Sequence, residues 1–377
     1  PARTVTILEG IQSALGKGDR LIYEQGCPWV GETLLESVFS KCRSEKGPGF
    51  TAQYWNNVNH EGVADVENQV LTPFNFCTSG ATVFAPGVNL TDFSATYRSS
   101  YIPEVSGEIV FDLYSFGKGR LTVNGKELLA FHNHHGGNRQ SCSMQVVAGK
   151  KYDITLDFEY LQSDAQLNFD MGFKRKIDIA RSVDAVKEAD VVIFVGGISP
   201  SLEGEEMGVD LPGFRKGDRL SIELPDVQRK LLAALHDAGK KVILVNCSGS
   251  PIGLVPETVT CDAILQAWYP GQQGGTAVAD VLFGDYNPAG RLPVTFYRDV
   301  NQLPDFEDYS MAGRTYRFMT DKPLFPFGYG LSYTTFRYGT VKLDKTTVAD
   351  GEKLQFTVPV SNVGNRDGEE VVQLYLH

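Results

Sequence analysis

The sequence lacks any apolar stretch that approaches the roughly 20 residues of a membrane-spanning helix, so we expect no membrane span. It also lacks an excess of basic residues, since 35 Lys and Arg stand against 46 Asp and Glu and the net charge is −11. Nucleic acids and anionic membranes attract proteins that carry clusters of Lys and Arg. The composition therefore predicts neither as a partner.

Cysteine is sparse, and none of the six cysteines stands in a CxxC pair, which argues against a zinc site. We expect free thiols at Cys27, Cys42, Cys77, Cys142, Cys247 and Cys261. The cluster of His132, His134 and His135 has metal-ligand chemistry, but the glycines that follow it predict an exposed loop and no metal. The sequence also lacks GxGxxG and P-loop lysine motifs, so we expect no cofactor.

The 377 residues suffice for two or three domains. The chain begins at Pro1 rather than Met and shows no signal peptide, so we interpret it as a processed or truncated piece. Its first segment predicts an amphipathic helix over 4–15, with Ile7, Ile11 and Leu15 on one face, and then a buried strand over 21–23.

The spacing of the apolar residues changes at Gly47, and from there to about residue 176 it no longer follows the helical period. Alternating apolar residues predict short strands, and Asn124-Gly125 predicts a hairpin turn. The strands are predicted at 109–113, 120–123, 152–158 and 167–170. Strands at this spacing favour a β-sandwich or barrel.

An alternation of strands and helices then occupies residues 178–284. Apolar runs predict parallel strands at 191–195, 242–245 and 263–265, and helical periods lie at 178–189, 224–236 and 276–283. The simplest interpretation is one α/β domain, mostly a parallel sheet, into which the β domain is inserted. We therefore expect residues 20–25 to pair in the same sheet as residues 191–195.

Proline-rich loops follow residue 290, and alternation returns at 354–358 and 371–376. These runs predict a further β domain that has too few strands to close a sandwich.

The loop after the strand 191–195 carries three carboxylates, Glu203, Glu205 and Glu206. Ligands bind at the carboxyl ends of strands in open α/β sheets, and neighbouring carboxylates raise one another's pKa. A proton donor is thus one interpretation, and a solvated acidic loop is the other.

Two further motifs allow two interpretations each. Asp218-Arg219 is more readily a structural ion pair that fixes a loop than a catalytic pair. Trp268 and Tyr269 could stack on a sugar ring, although packing in the core is the simpler role.

Ordered sequence blocks resemble the second domain of family 3 glycoside hydrolases. They lie at 189–196 (ADVVIFVG), 202–207 (LEGEEM), 217–219 (GDR), 246–251 (NCSGSP), 268–272 (WYPGQ), 283–293 (FGDYNPAGRLP) and 326–333 (PFGYGLSY). The insertion resembles a PA14 domain at 49–50, 54–55, 106–113 (SGEIVFDL), 121–126 (LTVNGK) and 148–152 (AGKKY), and the last segment is similar to the start of a fibronectin-III-like domain. The resemblance implies an α/β sandwich domain over 1–46 and 177–335, a PA14-like domain over 47–176 and an incomplete fibronectin-III-like domain over 336–377.

The resemblance also implies an activity, that of an exo-acting retaining β-glycosidase. The nucleophilic Asp would lie on a TIM barrel that is absent from this chain, so the chain alone should be inert. The family supplies the acid/base from the acidic loop, which points to Glu205, with Glu203 and Glu206 as runners-up because the insert 207–216 can shift the alignment.

The motif Glu-x-Glu-x-Met at 203–207, together with GRTYRF at 313–318, resembles the β-xylosidase branch more than β-glucosidases. The expected partners are an oligosaccharide substrate and the missing barrel, and the chain could also form a homodimer. A bacterial member of the family would be periplasmic or secreted. The alternative is a non-catalytic fragment that binds carbohydrate through the PA14-like surface, where Tyr54, Trp55, Tyr97 and Tyr101 are the candidate contacts.

Overall fold

The computed structural model of the chain describes residues 4–162, 164–205, 207 and 209–375. These residues form helices α1 (Ile7–Ala14), α2 (Ile179–Ala185), α3 (Asp226–Asp237), α4 (Glu257–Thr260), α5 (Gly274–Phe283) and α6 (Thr315–Phe318). The strands of the first half are β1 (Thr33–Ser37), β2 (Arg43–Ser44), β3 (Gly47–Pro48), β4 (Phe50–Trp55), β5 (Val66–Val70), β6 (Phe74–Cys77), β7 (Ser94–Tyr101), β8 (Gly107–Val123), β9 (Lys126–Val146), β10 (Tyr152–Glu159) and β11 (Gln166–Lys176). Those of the second half are β12 (Val191–Gly197), β13 (Asp210–Leu211), β14 (Phe214–Arg215), β15 (Asp218–Arg219), β16 (Lys241–Cys247), β17 (Ala263–Gln266), β18 (Phe336–Tyr338), β19 (Lys342–Leu343), β20 (Phe356–Thr357) and β21 (Val360–Asn362).

The strands of the first half form one 11-stranded antiparallel sheet with the central order β1-β11-β8-β10-β7-β2-β3. The long hairpin of β8 and β9 holds it together, and Asn124 and Gly125 turn it with φ values of 50° and 75°. Positive φ at both residues is the signature of the predicted hairpin turn.

The sheet curls at Gly117, in the middle of β8. Residues 109–116 of β8 pair with β11, whereas residues 118–123 pair with β10. Gly117 has φ +150°, and a Cβ there would lie 2.5 Å from the Phe158 ring. Glycine thus allows one strand to serve both halves of the sheet, so that the two strands predicted at 109–113 and 120–123 are one.

The core of this sheet is aromatic. Phe50 on β4 packs edge-on against Phe169 on β11 with ring centroids 5.9 Å apart, which joins the two halves of the curled sheet. Residues alternate between this core and the outer face, as strands require. Tyr54, Trp55, Tyr97 and Tyr101, the predicted sugar contacts, are at most 8% exposed, so that prediction is wrong. Tyr54, Tyr97 and Tyr101 belong to the core of the sheet, whereas Trp55 is covered by His60 and donates to the Gly62 carbonyl.

The second half contains a parallel sheet in the order β12-β16-β17. Helix α3 covers it with Leu231, Leu232 and Leu235, which pack into one apolar cluster with Val242 and Leu244 of β16. The predicted α/β pattern is confirmed here, with each strand and helix within a few residues of its expected place. The chain is therefore a mixed, sheet-rich fold, in which an antiparallel sheet and a smaller parallel sheet each have their own core.

Residues 21–23 do not form the predicted strand, and the pairing of residues 20–25 with β12 is wrong. Within the described residues β12 pairs with β16, and Tyr23 is 68% exposed. Ile22 nevertheless packs against the α/β core, without a neighbouring strand to hold its backbone. The antiparallel sheet also begins earlier than the change in composition at Gly47, because β1 pairs with β11 from Thr33 onward.

Up to residue 375, where the described structure ends, the C-terminal segment forms two-stranded ribbons, β18 with β21 and β19 with β20. Residues 371–375, predicted as a strand, have no strand structure, and residue 376 lies outside the described residues. A strand needs a neighbouring strand for its backbone hydrogen bonds, and no described strand pairs with residues 371–375. The six cysteines are free, as expected.

Candidate active site

Three polar loops meet at one edge of the parallel sheet. Strands β12, β16 and β17 run in the same direction and end at Gly197, Cys247 and Gln266. Their carboxyl ends are where ligands bind in sheets of this type. Glu203, Ser250 and Tyr269 lie in the loops that follow the three strands.

Glu203 is held by the loop after β16. The Ser250 hydroxyl lies 2.8 Å from Oε1 and 3.1 Å from Oε2 of Glu203 and donates to the carboxylate. The same hydroxyl accepts a 2.8 Å hydrogen bond from Arg219 Nη1, which lies 3.8 Å from Glu203 Oε1. The side chain of Glu203 remains 25% exposed, so the carboxylate is fixed and still accessible.

Arg219 anchors this cluster from strand β15. Besides Ser250, it donates to the carbonyl oxygens of Ser221 and Pro251, and its side chain is 10% exposed. Its Nη2 is buried without a hydrogen-bond partner among the described residues. Burial lowers the pKa of the guanidinium, against the opposing effect of the Glu203 charge. The predicted ion pair of Asp218 with Arg219 is absent from the described residues, and Arg219 instead contacts Glu203 and Ser250.

The two other predicted glutamates differ. Glu205 is exposed, and its side chain makes no hydrogen bond or ion pair with a described residue. Glu206 lies outside the described residues. The insert 207–216 contains the short strands β13 and β14. Its ends are close together, because the Gly204 N–H donates to the Gly217 carbonyl at 3.1 Å and the Met207 N–H to the Lys216 carbonyl at 3.0 Å.

Tyr269 and Trp268 border the same edge. Tyr269 is 39% exposed, its ring lies against Gly249, and burial raises the pKa of its phenol. Trp268 adopts φ +55° and packs edge-on to Phe296 with ring centroids 6.0 Å apart. Of the pair, Tyr269 has the accessible ring, whereas Trp268 has a packing partner.

Sequence reasoning missed two residues that build this edge. Gln228 on α3, 2% exposed, accepts from the N–H of Gly197 and donates to its carbonyl, both at 2.8 Å, and so fixes the end of β12. Ser250 stands in the block at 246–251 that carries the family resemblance. Its position directly after a predicted parallel strand was the signal that could have identified it.

The histidine cluster lies elsewhere. His132 and His134 lie within β9, not in a loop, with ring centroids 5.2 Å apart, and the side chain of residue 135 is not described. The loop prediction is therefore wrong, because β9 pairs with β8 up to Asn133 and pairs again from Asn138, with a shift of register between the two. Over the part of the chain that the structure describes, no three His, Cys, Asp or Glu side chains form a metal-binding group. Nor does any helix there have the length and apolarity to cross a membrane.

Comparison with family models matches residues 1–333 to the Glycosyl hydrolase family 3 C-terminal domain. Among curated proteins, a xylan 1,4-beta-xylosidase of Xylanibacter ruminicola is 46% identical over 379 residues, which cover 100% of this chain and 43% of that protein. A beta-glucosidase of Rhizobium radiobacter is 31% identical over 413 residues, which cover 99% of this chain and 47% of that protein. The chain thus spans less than half the length of these relatives.

Among solved structures, the chain is similar to a beta-glucosidase from Kluyveromyces marxianus in complex with glucose. The TM-score is 0.63 at 22% sequence identity, and the match covers 97% of this chain and 45% of that one. At this identity the likeness shows a shared fold.

Proposed function

The chain belongs to glycosyl hydrolase family 3, and from this premise we propose that it is the C-terminal part of an exo-acting, retaining β-glycosidase. Its substrates are the terminal β-linked sugars of short oligosaccharides. A β-xylosidase is favoured over a β-glucosidase, because identity along the whole chain is 46% with the xylan 1,4-beta-xylosidase and 31% with the beta-glucosidase.

The domain organisation belongs to the same proposal. Residues 1–46 and 177–335 are assigned to the α/β sandwich domain, 47–176 to a PA14-like domain, and 336–377 to the start of a fibronectin-III-like domain. The first boundary needs one adjustment, because β1 and β2 already belong to the antiparallel sheet and the insertion therefore begins near Thr33. The end of β11 at Lys176 supports the second boundary of the insertion. Ile22 lies before the insertion and packs on the α/β core, which residues after the insertion form. This contact supports the assignment of the two segments to one domain.

Retaining hydrolysis needs two carboxyl groups about 5–5.5 Å apart. One attacks the anomeric carbon, and we assign it to the part of the enzyme outside this chain. The other protonates the oxygen of the leaving sugar as the C–O bond breaks, and then takes a proton from the water that releases the bound sugar. The loop with Glu203 and Glu205 supplies that acid/base.

Between these two glutamates, the geometry favours Glu203, although the sequence resemblance pointed to Glu205. The observation that carries this choice is the pair of contacts from Ser250 and Arg219, which hold the Glu203 carboxylate at the edge where three strands end. A general acid must stay within hydrogen-bond reach of one oxygen atom. Glu205 is exposed and has no comparable support in the described structure.

The complete enzyme allows a direct test with Glu203→Gln and Glu205→Gln. For aryl β-xylosides with poor leaving groups, we expect Glu203→Gln to lower kcat/KM by about 10²–10⁴-fold, the usual contribution of general acid catalysis. Substrates with good leaving groups need little protonation and should lose less. Azide should partly restore turnover, because it attacks the glycosyl-enzyme without a general base. Glu205→Gln is the matched control, and the reverse result would assign the role to Glu205.

The isolated chain provides a second test. It should not hydrolyse aryl β-xylosides or β-glucosides, since a lone acid cannot form the glycosyl-enzyme intermediate. Turnover by the purified chain at ordinary enzymatic rates would contradict the division of the two carboxyl groups.

A further inference from the structure

A cavity of about 330 Å³ lies between the outer face of the antiparallel sheet and the loop that leads to Glu203. Strands β8, β9 and β11 form its floor, and Pro200 and Ser201 form part of its wall. The volume falls within the range of roughly 300–1,000 Å³ that is usual for small-molecule pockets.

The floor holds two carboxylates in an arrangement that does not favour stability. Asp112 on β8 and Asp170 on β11 are directly opposite each other in the strand register. Like charges at such positions destabilise a sheet. Arg139 compensates Asp112 through a two-point ion pair, with Nε 3.0 Å from Oδ1 and Nη2 on Oδ2.

Asp170 retains acceptor capacity. Its Oδ1 accepts from the Ser37 hydroxyl at 2.6 Å and from the Met171 N–H at 2.7 Å. Its Oδ2 makes no hydrogen bond with a described residue and can accept one from a ligand. The cavity therefore combines a neutralised Asp–Arg pair with a carboxylate oxygen that can accept a hydrogen bond from a ligand.

Neutral and aromatic side chains complete the floor. Asn168 lies opposite Tyr114 in the register, and both line the cavity. The Asn168 Oδ1 atom is buried and has no hydrogen-bond partner among the described residues, which is uncommon for a buried amide. The Tyr114 ring is half-buried under Gly137, where a Cβ would lie 2.2 Å from the ring.

We infer that this cavity is a carbohydrate-binding site, separate from the Glu203 cluster, that takes a neutral sugar unit of an oligosaccharide. Sugar hydroxyls both donate and accept, which suits an Asp–Arg pair, an amide and a carboxylate oxygen side by side. An anion would be repelled by Asp170, and a metal ion would have to displace Arg139 from Asp112. Because Ser201 borders the cavity and precedes Glu203 by two positions, the bound sugar lies beside the loop of the proposed acid/base.

Titration of the 377-residue chain with xylobiose and xylotriose, followed by calorimetry and ligand-observed NMR, tests the inference. We expect saturable binding that Asp112→Asn weakens by about 10-fold or more, as expected for the loss of a hydrogen bond to a charged group. Asp157→Asn is the matched control, because Asp157 forms a similar pair with Arg120 on the same sheet, at 20% and 60% exposure against 26% and 56% for Asp112 and Arg139. The affinity of the control should stay within about twofold of that of the unaltered chain, a smaller change than the loss of one hydrogen bond to a charged group causes.

Arg139→Met and Arg120→Met provide a second matched pair, and thermal melts of all four variants identify any that misfold. The inference is wrong if the unaltered chain does not bind either sugar saturably, or if the Asp157 and Arg120 variants lose as much affinity as the cavity variants. Binding here requires no catalytic step, so Glu203→Gln in the chain should leave it unchanged. A result in which hydrolysis by the complete enzyme does not depend on Glu203 therefore affects the proposed function alone.

The length of the sugar distinguishes a released product from a substrate held beyond the reacting bond. For a product site, xylose should bind as well as xylotriose, and the Asp112 variant of the complete enzyme should keep its KM for every substrate. For a substrate site, xylotriose should bind more tightly, and the variant should raise KM for xylotriose but not for an aryl xyloside. Both results support a sugar site, whereas a rise in KM of the same size for xylotriose and for the aryl xyloside contradicts it.

Discussion

The Ser250 hydroxyl donates to the carboxylate of Glu203, 47 positions away in the sequence, while it accepts from Arg219. A residue after β16 thereby fixes the orientation of a residue after β12. A hydroxyl that accepts from a cation and donates to an anion is polarised in one direction. The carboxylate is consequently held on one side, and its other side is open to solvent.

We expect Ser250→Ala in the complete enzyme to lower kcat/KM for substrates with poor leaving groups by up to about 100-fold, the loss that a misplacement of about 1 Å can cause. Ser250→Thr keeps the hydroxyl and should restore most of the activity. Steady-state kinetics on aryl β-xylosides of graded leaving-group ability would measure this. If Ser250 acts through Glu203, good leaving groups should lose less, whereas general damage to the fold would lower all substrates alike.

The elements that could be predicted from the sequence are those with strong local patterns. Helix α1 begins after Thr6, whose hydroxyl accepts from the Glu9 N–H while the Glu9 carboxylate accepts from the Thr6 N–H. Strands β12, β16 and β17 are apolar runs bounded by loops, and the hairpin at Asn124 carries its own turn signal. Short-range chemistry determines these features, so a single sequence shows them.

The features that could not be predicted depend on distant partners. Residues 21–23 have the apolar character of a strand, but no neighbouring strand is available to pair with them. The histidines at 132 and 134 belong to β9 because β8 extends far enough to pair beyond the glycines that follow them. At the candidate site, the acidic loop was found from its position after a strand, whereas the contact between Ser250 and Glu203 has no local signature.

The ion pair of Arg229 and Glu257 gives a prediction on stability. The Glu257 side chain is 1% exposed, and Arg229 Nε lies 3.0 Å from its Oε1. Arg229→Met would leave a buried carboxylate without its cation, which costs about 3–5 kcal/mol. Lys230→Met is the control on the same helix, because Lys230 pairs with Asp226 at the exposed surface and its loss should leave the stability almost unchanged.

The effect of Arg229→Met should depend on pH. Burial raises the pKa of the Glu257 carboxyl, and the charge of Arg229 opposes that rise. A raised pKa in the folded state means that this group favours folding most below its unfolded pKa and less as the pH rises. Without Arg229 the pKa rises further, so the variant should lose more stability at about pH 7 than at about pH 4. Thermal melts at both pH values would show it, and an equal loss at both would contradict a charged Glu257.

Gly217 gives a prediction on the loop that carries Glu203. Its φ is +88°, and a Cβ there would lie 1.8 Å from the Gly204 carbonyl oxygen. Gly213, in the insert that precedes Gly217, has a similar φ of +85°, but a Cβ there would meet no atom of the described residues within 4 Å. Both Gly→Ala variants bear the strain of a left-handed backbone, about 1–2 kcal/mol, and only Gly217→Ala also forces Gly204 to move.

We expect Gly213→Ala to lower the melting temperature slightly and to leave hydrogen exchange at residues 199–205 unchanged, whereas Gly217→Ala should speed that exchange. In the complete enzyme, Gly217→Ala should also lower kcat more than Gly213→Ala, because displacement of Gly204 moves the carboxylate of its neighbour Glu203. Equal exchange and equal kcat in the two variants would show that the contact with Gly204 does not position Glu203.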